Sequence, residues 1–242
     1  MTRLSVNVNK IATLRNTRSI GIPSVSRAAQ LCLEAGAHGI TVHPRPDQRH
    51  IRPADVLDIA QLLKSYPHAE FNIEGNPFYE YVHYAQEVRP TQCTLVPDTP
   101  SAATSDHGWD LRRDGERLRP VIEQLKSFGC RVSLFMDAAA PALELAKQIG
   151  ADRIELYTAP YAHDFADGVG AAVGPYVTAA RRAAELGLGV NAGHDLNLSN
   201  LSPFLRAVPG VLEVSIGHAL IADALEFGLE QTVRRYLACL EN

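Results

Sequence analysis

The sequence predicts an α/β fold, a (β/α)8 TIM barrel formed as a single domain over residues 1–242. Eight short β-like runs alternate with amphipathic helical runs from one end of the chain to the other. A length of 242 residues is ordinary for one barrel of this class. Ionisable and amide side chains gather just after the strand candidates, on the rim where such a barrel keeps its active site. A doubly wound open sheet is the alternative. It usually carries a glycine-rich first turn, and Asn7-Val8-Asn9-Lys10-Ile11 is not one.

The elements follow in order. The first strand is read over Leu4–Val8 and the first helix over Val25–Ala35, with Ser24 ahead of it as a start signal. The apolar run Gly39–Val42 reads as a buried strand. Pro53 opens a helix over Ala54–Ser65. A strand over Glu70–Ile73, a helix over Phe78–Val88 and a strand over Cys93–Val96 come next. The Pro- and Ser-rich stretch Pro97–Gly108 is the longest irregular piece, and it reads as a mobile loop beside the site. A helix over Leu111–Phe128 leads to a strand over Arg131–Met136, and a helix over Pro141–Ile149 to a strand over Arg153–Tyr157. The chain closes with a helix over Gly174–Leu186, a strand over Gly189–Asn191, a helix over Ser202–Ala207, a strand over Leu212–Ile216 and a helix over Ala219–Leu240. Gly36, Gly129, Gly150 and Gly187 stand where helices end in front of strands, as a helix C′ position prefers.

Composition excludes several classes. Net charge is −4, so no global basic field argues for nucleic acid, and any phosphate must be held by a local cluster. Cys32, Cys93, Cys130 and Cys239 are widely spaced, which argues against a zinc site or a disulfide framework and suits a reducing cytoplasm. No signal-peptide pattern opens the chain. No run of about 18 apolar residues is present, so no membrane span is expected.

The segment His43-Pro44-Arg45-Pro46-Asp47-Gln48-Arg49-His50 places two His and two Arg after the second strand. Histidine titrates near neutrality and arginine holds anions bidentately, so the segment reads as an enzyme site for an anionic substrate. A polar surface loop is the bland alternative. Strand one delivers Asn7, Asn9 and Lys10, with Arg15 and Arg18 close behind; strand three delivers Asn72 and Glu74. Thr104 follows strand four, Asp137 strand five, Glu155 and Thr158 strand six. Asn72 and Glu74 alternate onto one side of their strand, where the barrel interior would give a carboxylate a partner or a task. Glu155 reads as structural or orienting, and Asp137 as either a helix cap or a site residue.

The last two strands each end in Gly-His: Gly193-His194, followed by Asp195, and Gly217-His218. Loops after strands seven and eight are the recurrent phosphate site of this fold, and a helix start favours an anion. Metal binding is the competing use of so many histidines. It is disfavoured, because no H-x-H or H-E-x-x-H is present and Arg45 and Arg49 lie between His43 and His50.

Taken together these blocks resemble the pyridoxine 5′-phosphate synthase family. They are Val6-Asn7, Ile11 to Arg18, Gly39 to His43, Arg49-His50-Ile51, Asn72-Ile73-Glu74, Leu95-Val96-Pro97, Val132 to Phe135, Val190 to His194 and Ile216 to Ala219. The resemblance implies a barrel with extra helices, assembled as a homo-octamer of dimers. It also implies a transferase of vitamin B6 biosynthesis with no metal or organic cofactor. The implied reaction joins 3-amino-2-oxopropyl phosphate and 1-deoxy-D-xylulose 5-phosphate into pyridoxine 5′-phosphate, phosphate and water. By position, His43 and Glu74 match the family's proton acceptors and His194 its proton donor. Asn7 and Gly217-His218 match the aminoketone phosphate site, and Arg18, Arg45, His50 and Thr104 match other substrate contacts.

The chain departs from the family's usual pattern at Asn9-Lys10, where Asp-His is common, at Asp195, where Gly is common, and at Pro44. Asn9, Lys10 and Asp195 therefore join the substrate-binding candidates. Two other classes stay open. One is a phosphosugar isomerase or lyase barrel, for which Lys10 is the nearby candidate for a Schiff base. The other is a non-catalytic barrel that senses a phosphorylated metabolite.

Overall fold

Eight parallel strands close into a barrel in the order in which they occur along the chain. The computed structural model describes residues 1–140, 142–167 and 173–241. The strands are β1 (Arg3–Asn7), β2 (Gly39–Val42), β3 (Glu70–Gly75), β4 (Gln92–Leu95), β5 (Arg131–Asp137), β6 (Arg153–Tyr157), β7 (Gly189–His194) and β8 (Val211–Ile216). The sheet closes where β8 pairs with β1, Val214 opposite Leu4.

Among the described residues eleven helices surround the barrel. The first six are α1 (Asn9–Asn16), α2 (Val25–Glu34), α3 (Pro53–Leu63), α4 (Val82–Val88), α5 (Leu111–Ser127) and α6 (Glu144–Gln148). They are followed by α7 (Ala159–Ala166), α8 (Gly174–Glu185), α9 (Leu201–Ala207), α10 (His218–Phe227) and α11 (Leu229–Leu240). Helix α2 shows how the sequence builds this layer. The Ser24 side chain accepts from the Arg27 N–H at its start, and Val25, Ala29, Cys32 and Leu33 form the face turned to the core. Gly36, Gly129, Gly150 and Gly187 all have positive φ, as their positions between helix and strand require.

Several expectations need correction. The last helix divides at Gly228, whose φ of 75° and ψ of 149° interrupt it, giving α10 and α11. Helices α1 and α7 occupy stretches read as strand-end loops. The expected helix from Pro141 begins at Glu144, and Pro141 itself lies outside the described residues. Helix α4 begins at Val82 rather than Phe78. Strand β1 ends at Asn7, because Val8 already leaves the extended region.

The barrel interior is polar in layers. Ser5 and Thr41 share a hydrogen bond of 2.6 Å, Asn72 donates to Thr41 at 3.3 Å, and Thr94 donates to Asn72 at 3.0 Å. At the N-terminal end Arg131 pairs with Glu70, and Arg131 and Arg153 both approach the buried Glu213 at 3.7 Å. This plug leaves the opposite, C-terminal end of the barrel as the open mouth.

Candidate active site

A cavity of about 440 Å³ opens at the C-terminal ends of the strands. A groove of about 640 Å³ between α3 and α4 is larger, but it lies on the outside of the barrel. The titratable groups converge in the mouth. Of the residues expected from the sequence, His43, Glu74, His194, Asn7, Asn9, Lys10, Arg45, His50, Thr104, Asp195, Gly217 and His218 line the cavity. Arg18 does not; it is exposed beyond the end of α1.

Glu74 is the penultimate residue of β3, and the strand's alternation turns it inward with Asn72. Asn7 Nδ2 donates to its Oε2 at 3.3 Å and Ser215 Oγ to its Oε1 at 3.4 Å. Burial pushes its carboxyl up to about 7, against the pull of His194 and the Ser215 hydrogen bond. His43 Nδ1 stands 4.0 Å from Glu74 Oε2. Burial, and then the Arg45 guanidinium and the neighbouring His50 and His194 rings, hold His43 well below the ordinary histidine range, so its ring is neutral. His50 is likewise held down, to about 4, by burial, Arg45 and Lys10. Its Nδ1 accepts from the Ile51 N–H at 2.9 Å, which leaves the ring proton on Nε2. His43 and His50 pack edge to face with centroids 6.0 Å apart.

His194 behaves differently. Burial opposes its protonation, but the hydrogen bond and charge of Asp195, aided by Glu74 and Asp98, raise its pKa. Its Nδ1 lies 2.6 Å from Asp195 Oδ2 and its Nε2 2.9 Å from Thr104 Oγ1. The cavity therefore carries two imidazoles biased to the neutral form, one biased to the charged form, and a carboxyl poised near neutrality.

Arg45, expected among the substrate contacts, lines the cavity with its buried guanidinium paired with Asp98, a loop residue that local sequence does not single out. Arg45 also donates to the Ala102 carbonyl at 3.2 Å, and Arg49 donates to the Ala102 and Pro100 carbonyls at 2.8 and 2.7 Å. The strand-two loop thus fastens the irregular β4–α5 segment over the mouth, which brings Thr104 to His194.

The two Gly-His turns also divide their tasks. A Cβ on Gly193 would sit 2.1 Å from the Ser215 carbonyl oxygen, so glycine there is needed for β7 to approach β8. Its own carbonyl accepts from Thr158 Oγ1 and from the Asp195 N–H. Gly217 faces the cavity against the Asn7 side chain, and α10 begins directly after it. The anion-favouring helix start therefore belongs to Gly217-His218, and Gly193 serves the sheet. Asn9 lines the cavity and also braces the strand-two loop: its Oδ1 accepts from the His43 N–H at 2.9 Å, and its own N–H donates to Asn7 Oδ1 at 3.0 Å.

Two further groups complete the site. Arg15 pairs with Asp55 and, with Asn16, donates to the His50 carbonyl, which anchors the loop that carries His50. Their signal was present in the Ile11 to Arg18 block. Glu155 lines the cavity with Oε2 unpartnered, and burial, then Glu74 and Glu213, push its carboxyl well above the usual range. Strand alternation points Glu155 inward as an orienting residue, but it does not show the unpaired carboxyl that faces the cavity.

Comparison with known proteins gives a consistent picture. Residues 4–242 match the sequence profile of the family described as pyridoxal phosphate biosynthesis protein PdxJ. The pyridoxine 5′-phosphate synthase of Albidiferax ferrireducens is 58% identical over 99% of this chain and 97% of its own length. That of Porphyromonas gingivalis is 54% identical over 98% of both chains. Among solved structures, the tryptophan synthase alpha chain of Legionella pneumophila superposes with a TM-score of 0.67 at 14% identity, covering 100% of this chain and 92% of its own. Thiamine phosphate pyrophosphorylase of Pyrococcus furiosus superposes with a TM-score of 0.62 at 16% identity, covering 99% and 95%. At these identities the structural likeness shows the barrel fold.

Proposed function

The chain belongs to the PdxJ family of pyridoxal phosphate biosynthesis proteins, and from that premise we propose that it condenses 3-amino-2-oxopropyl phosphate with 1-deoxy-D-xylulose 5-phosphate. The products are pyridoxine 5′-phosphate, inorganic phosphate and water. The observation that carries the mechanism is the unequal poise of His43, Glu74 and His194 around one cavity.

Joining an amine to a ketone, losing water, eliminating phosphate and closing an aromatic ring call for repeated proton transfers. A neutral His43 accepts protons. A charged His194 donates them. Glu74, with its carboxyl near 7, moves a proton either way at neutral pH. Asn7, bonded to Glu74, positions that carboxyl while lining the mouth. The start of α10 at Gly217-His218 supports binding of one phosphate. Lys10, exposed at the mouth, supplies a point charge for the other substrate. His50 offers an Nε2–H to a substrate oxygen. Arg45 supports binding through the loop it holds, and Thr104 through its place on that loop.

Localisation, assembly and cofactor use belong to the same proposal. Four unpaired cysteines support a reducing cytoplasm. The exposed Leu14, Ile20 and Ile22 support subunit contacts of the homo-octamer that the resemblance implies. No helix among the described residues is long and apolar enough to cross a membrane. We take the reaction to need no metal. The test is to treat the purified protein with a chelator, add both substrates and follow the product by mass spectrometry. Pyridoxine 5′-phosphate that appears only when both substrates are present supports the proposal. Folded protein that yields none, or activity restored only by a divalent ion, contradicts it.

A further inference from the structure

The turn after β7 is built to return a carboxylate onto the ring that precedes it. His194 has a left-handed backbone, with φ of 50°, uncommon for a non-glycine residue and often a mark of a functional constraint. The Asp195 N–H is held by the Gly193 carbonyl at 2.7 Å and lies 3.4 Å from Thr158 Oγ1. Asn200 Nδ2 reaches the Asp195 carbonyl at 3.4 Å. So anchored, Asp195 Oδ2 meets His194 Nδ1 at 2.6 Å, and no Lys or Arg among the described residues is ion-paired with that carboxylate. Because a carboxylate only accepts, Nδ1 must carry a hydrogen. Nε2 is then left to face Thr104 Oγ1 at 2.9 Å and the cavity beyond.

We propose that Asp195 is a positioning residue for His194: it fixes the ring's tautomer and orientation and keeps its Nε2–H ready to give to a substrate oxygen. This rests on the reading of His194 as the proton donor. In the structure Thr104 occupies the partner position at Nε2, and an incoming substrate oxygen takes it over. The transferred proton leaves Nε2, the other hydrogen stays on Nδ1 and donates to Asp195, and the neutral ring is recharged from solvent at the mouth. The groups facing the ring are Asp195, Glu74 from β3, His43 just after β2, Tyr157 from β6, and Asp98 and Thr104 from the β4–α5 loop. Of these, Asp195, Glu74 and Asp98 favour the imidazolium. His43 is held neutral and adds little opposition.

The test replaces the carboxylate with an amide of the same shape. The titration of the His194 ring is followed by NMR in wild type and Asp195→Asn, without substrate, and the pH profile of kcat is measured alongside it. In Asp195→Asn the ring's midpoint should fall by about one pH unit. The alkaline limb of kcat should move down with it, and kcat at pH 8 should drop roughly tenfold. Asp195→Glu should recover part of the loss. A His194 titration that stays in place in folded Asp195→Asn overturns the proposal. Failure of the underlying reading looks different: His194→Gln would retain full kcat.

Discussion

His43 Nδ1 and Glu74 Oε2 face each other at 4.0 Å, and burial acts on them in opposite senses. It drives the imidazole down and the carboxyl up, because each then disfavours its charged form. In the proposed reaction the pair therefore passes a proton near neutral pH without holding a permanent ion pair.

The raised Glu74 carboxyl has a consequence for stability. Its folded-state pKa, about 7, lies above the ordinary value of 4.5, so the folded chain binds a proton that the unfolded chain has released. Stability from this group is present below pH 4.5 and is lost as pH rises toward 7. Glu74→Gln removes the dependence. Thermal unfolding should show the variant more stable than wild type at pH 8 and nearly equal to it at pH 4. A variant less stable at pH 8 would contradict the buried-carboxyl reading.

Arg45 and Asp98 form a buried pair, whereas Arg49 holds the same loop from a half-exposed position. Removing one member of a buried pair leaves an uncompensated charge, so Arg45→Ala should cost about 3–5 kcal/mol. Arg49→Ala should cost less than half of that. Chemical denaturation measures both, and equal losses would show that the Arg45–Asp98 pair is not what fastens the loop.

Glycine is required in both Gly-His turns, but for different reasons. Gly193→Ala should misfold or lose most of its stability, since backbone oxygen blocks its Cβ. Gly217→Ala meets the Asn7 side chain at 3.0 Å, which can yield. It should fold and raise KM for a phosphorylated substrate. Circular dichroism and steady-state kinetics separate the two outcomes, and a well-folded Gly193→Ala would refute the sheet-packing role.

These contrasts show which features local sequence carries. Gly39–Val42 and Arg153–Tyr157 are strands with the boundaries read from sequence. Helix α1 was hidden because Asn9 to Asn16 is mostly polar, and it is tied down from afar by the Arg15–Asp55 pair. Helix α7 carries Pro160, which sits harmlessly in its first turn but reads as a loop signal. In the site, His43, Glu74 and His194 were legible because each stands at a strand's C-terminal end. The Arg45–Asp98 pair and the unpaired Glu155 carboxyl were not, since both depend on which side chains meet once the barrel closes.

Lys10 projects at the mouth, and its charge already helps to hold His50 neutral. Lys10→Ala should raise KM for one phosphorylated substrate more than for the other, and Lys10→Arg should recover only part of the loss. The difference should shrink at high ionic strength. Identical kinetics for wild type and Lys10→Ala would make this lysine a bystander.

The most direct measurement is the rate of pyridoxine 5′-phosphate formation by wild type and Glu74→Gln at pH 7.5, with both substrates saturating. Glu74→Gln keeps the shape of the cavity and removes only the proton-carrying group. The expected result is a product-forming wild type and a folded variant slower by about 10²–10⁴-fold. A Glu74→Gln protein that makes product at the wild-type rate would contradict the central role given to this carboxyl between His43 and His194.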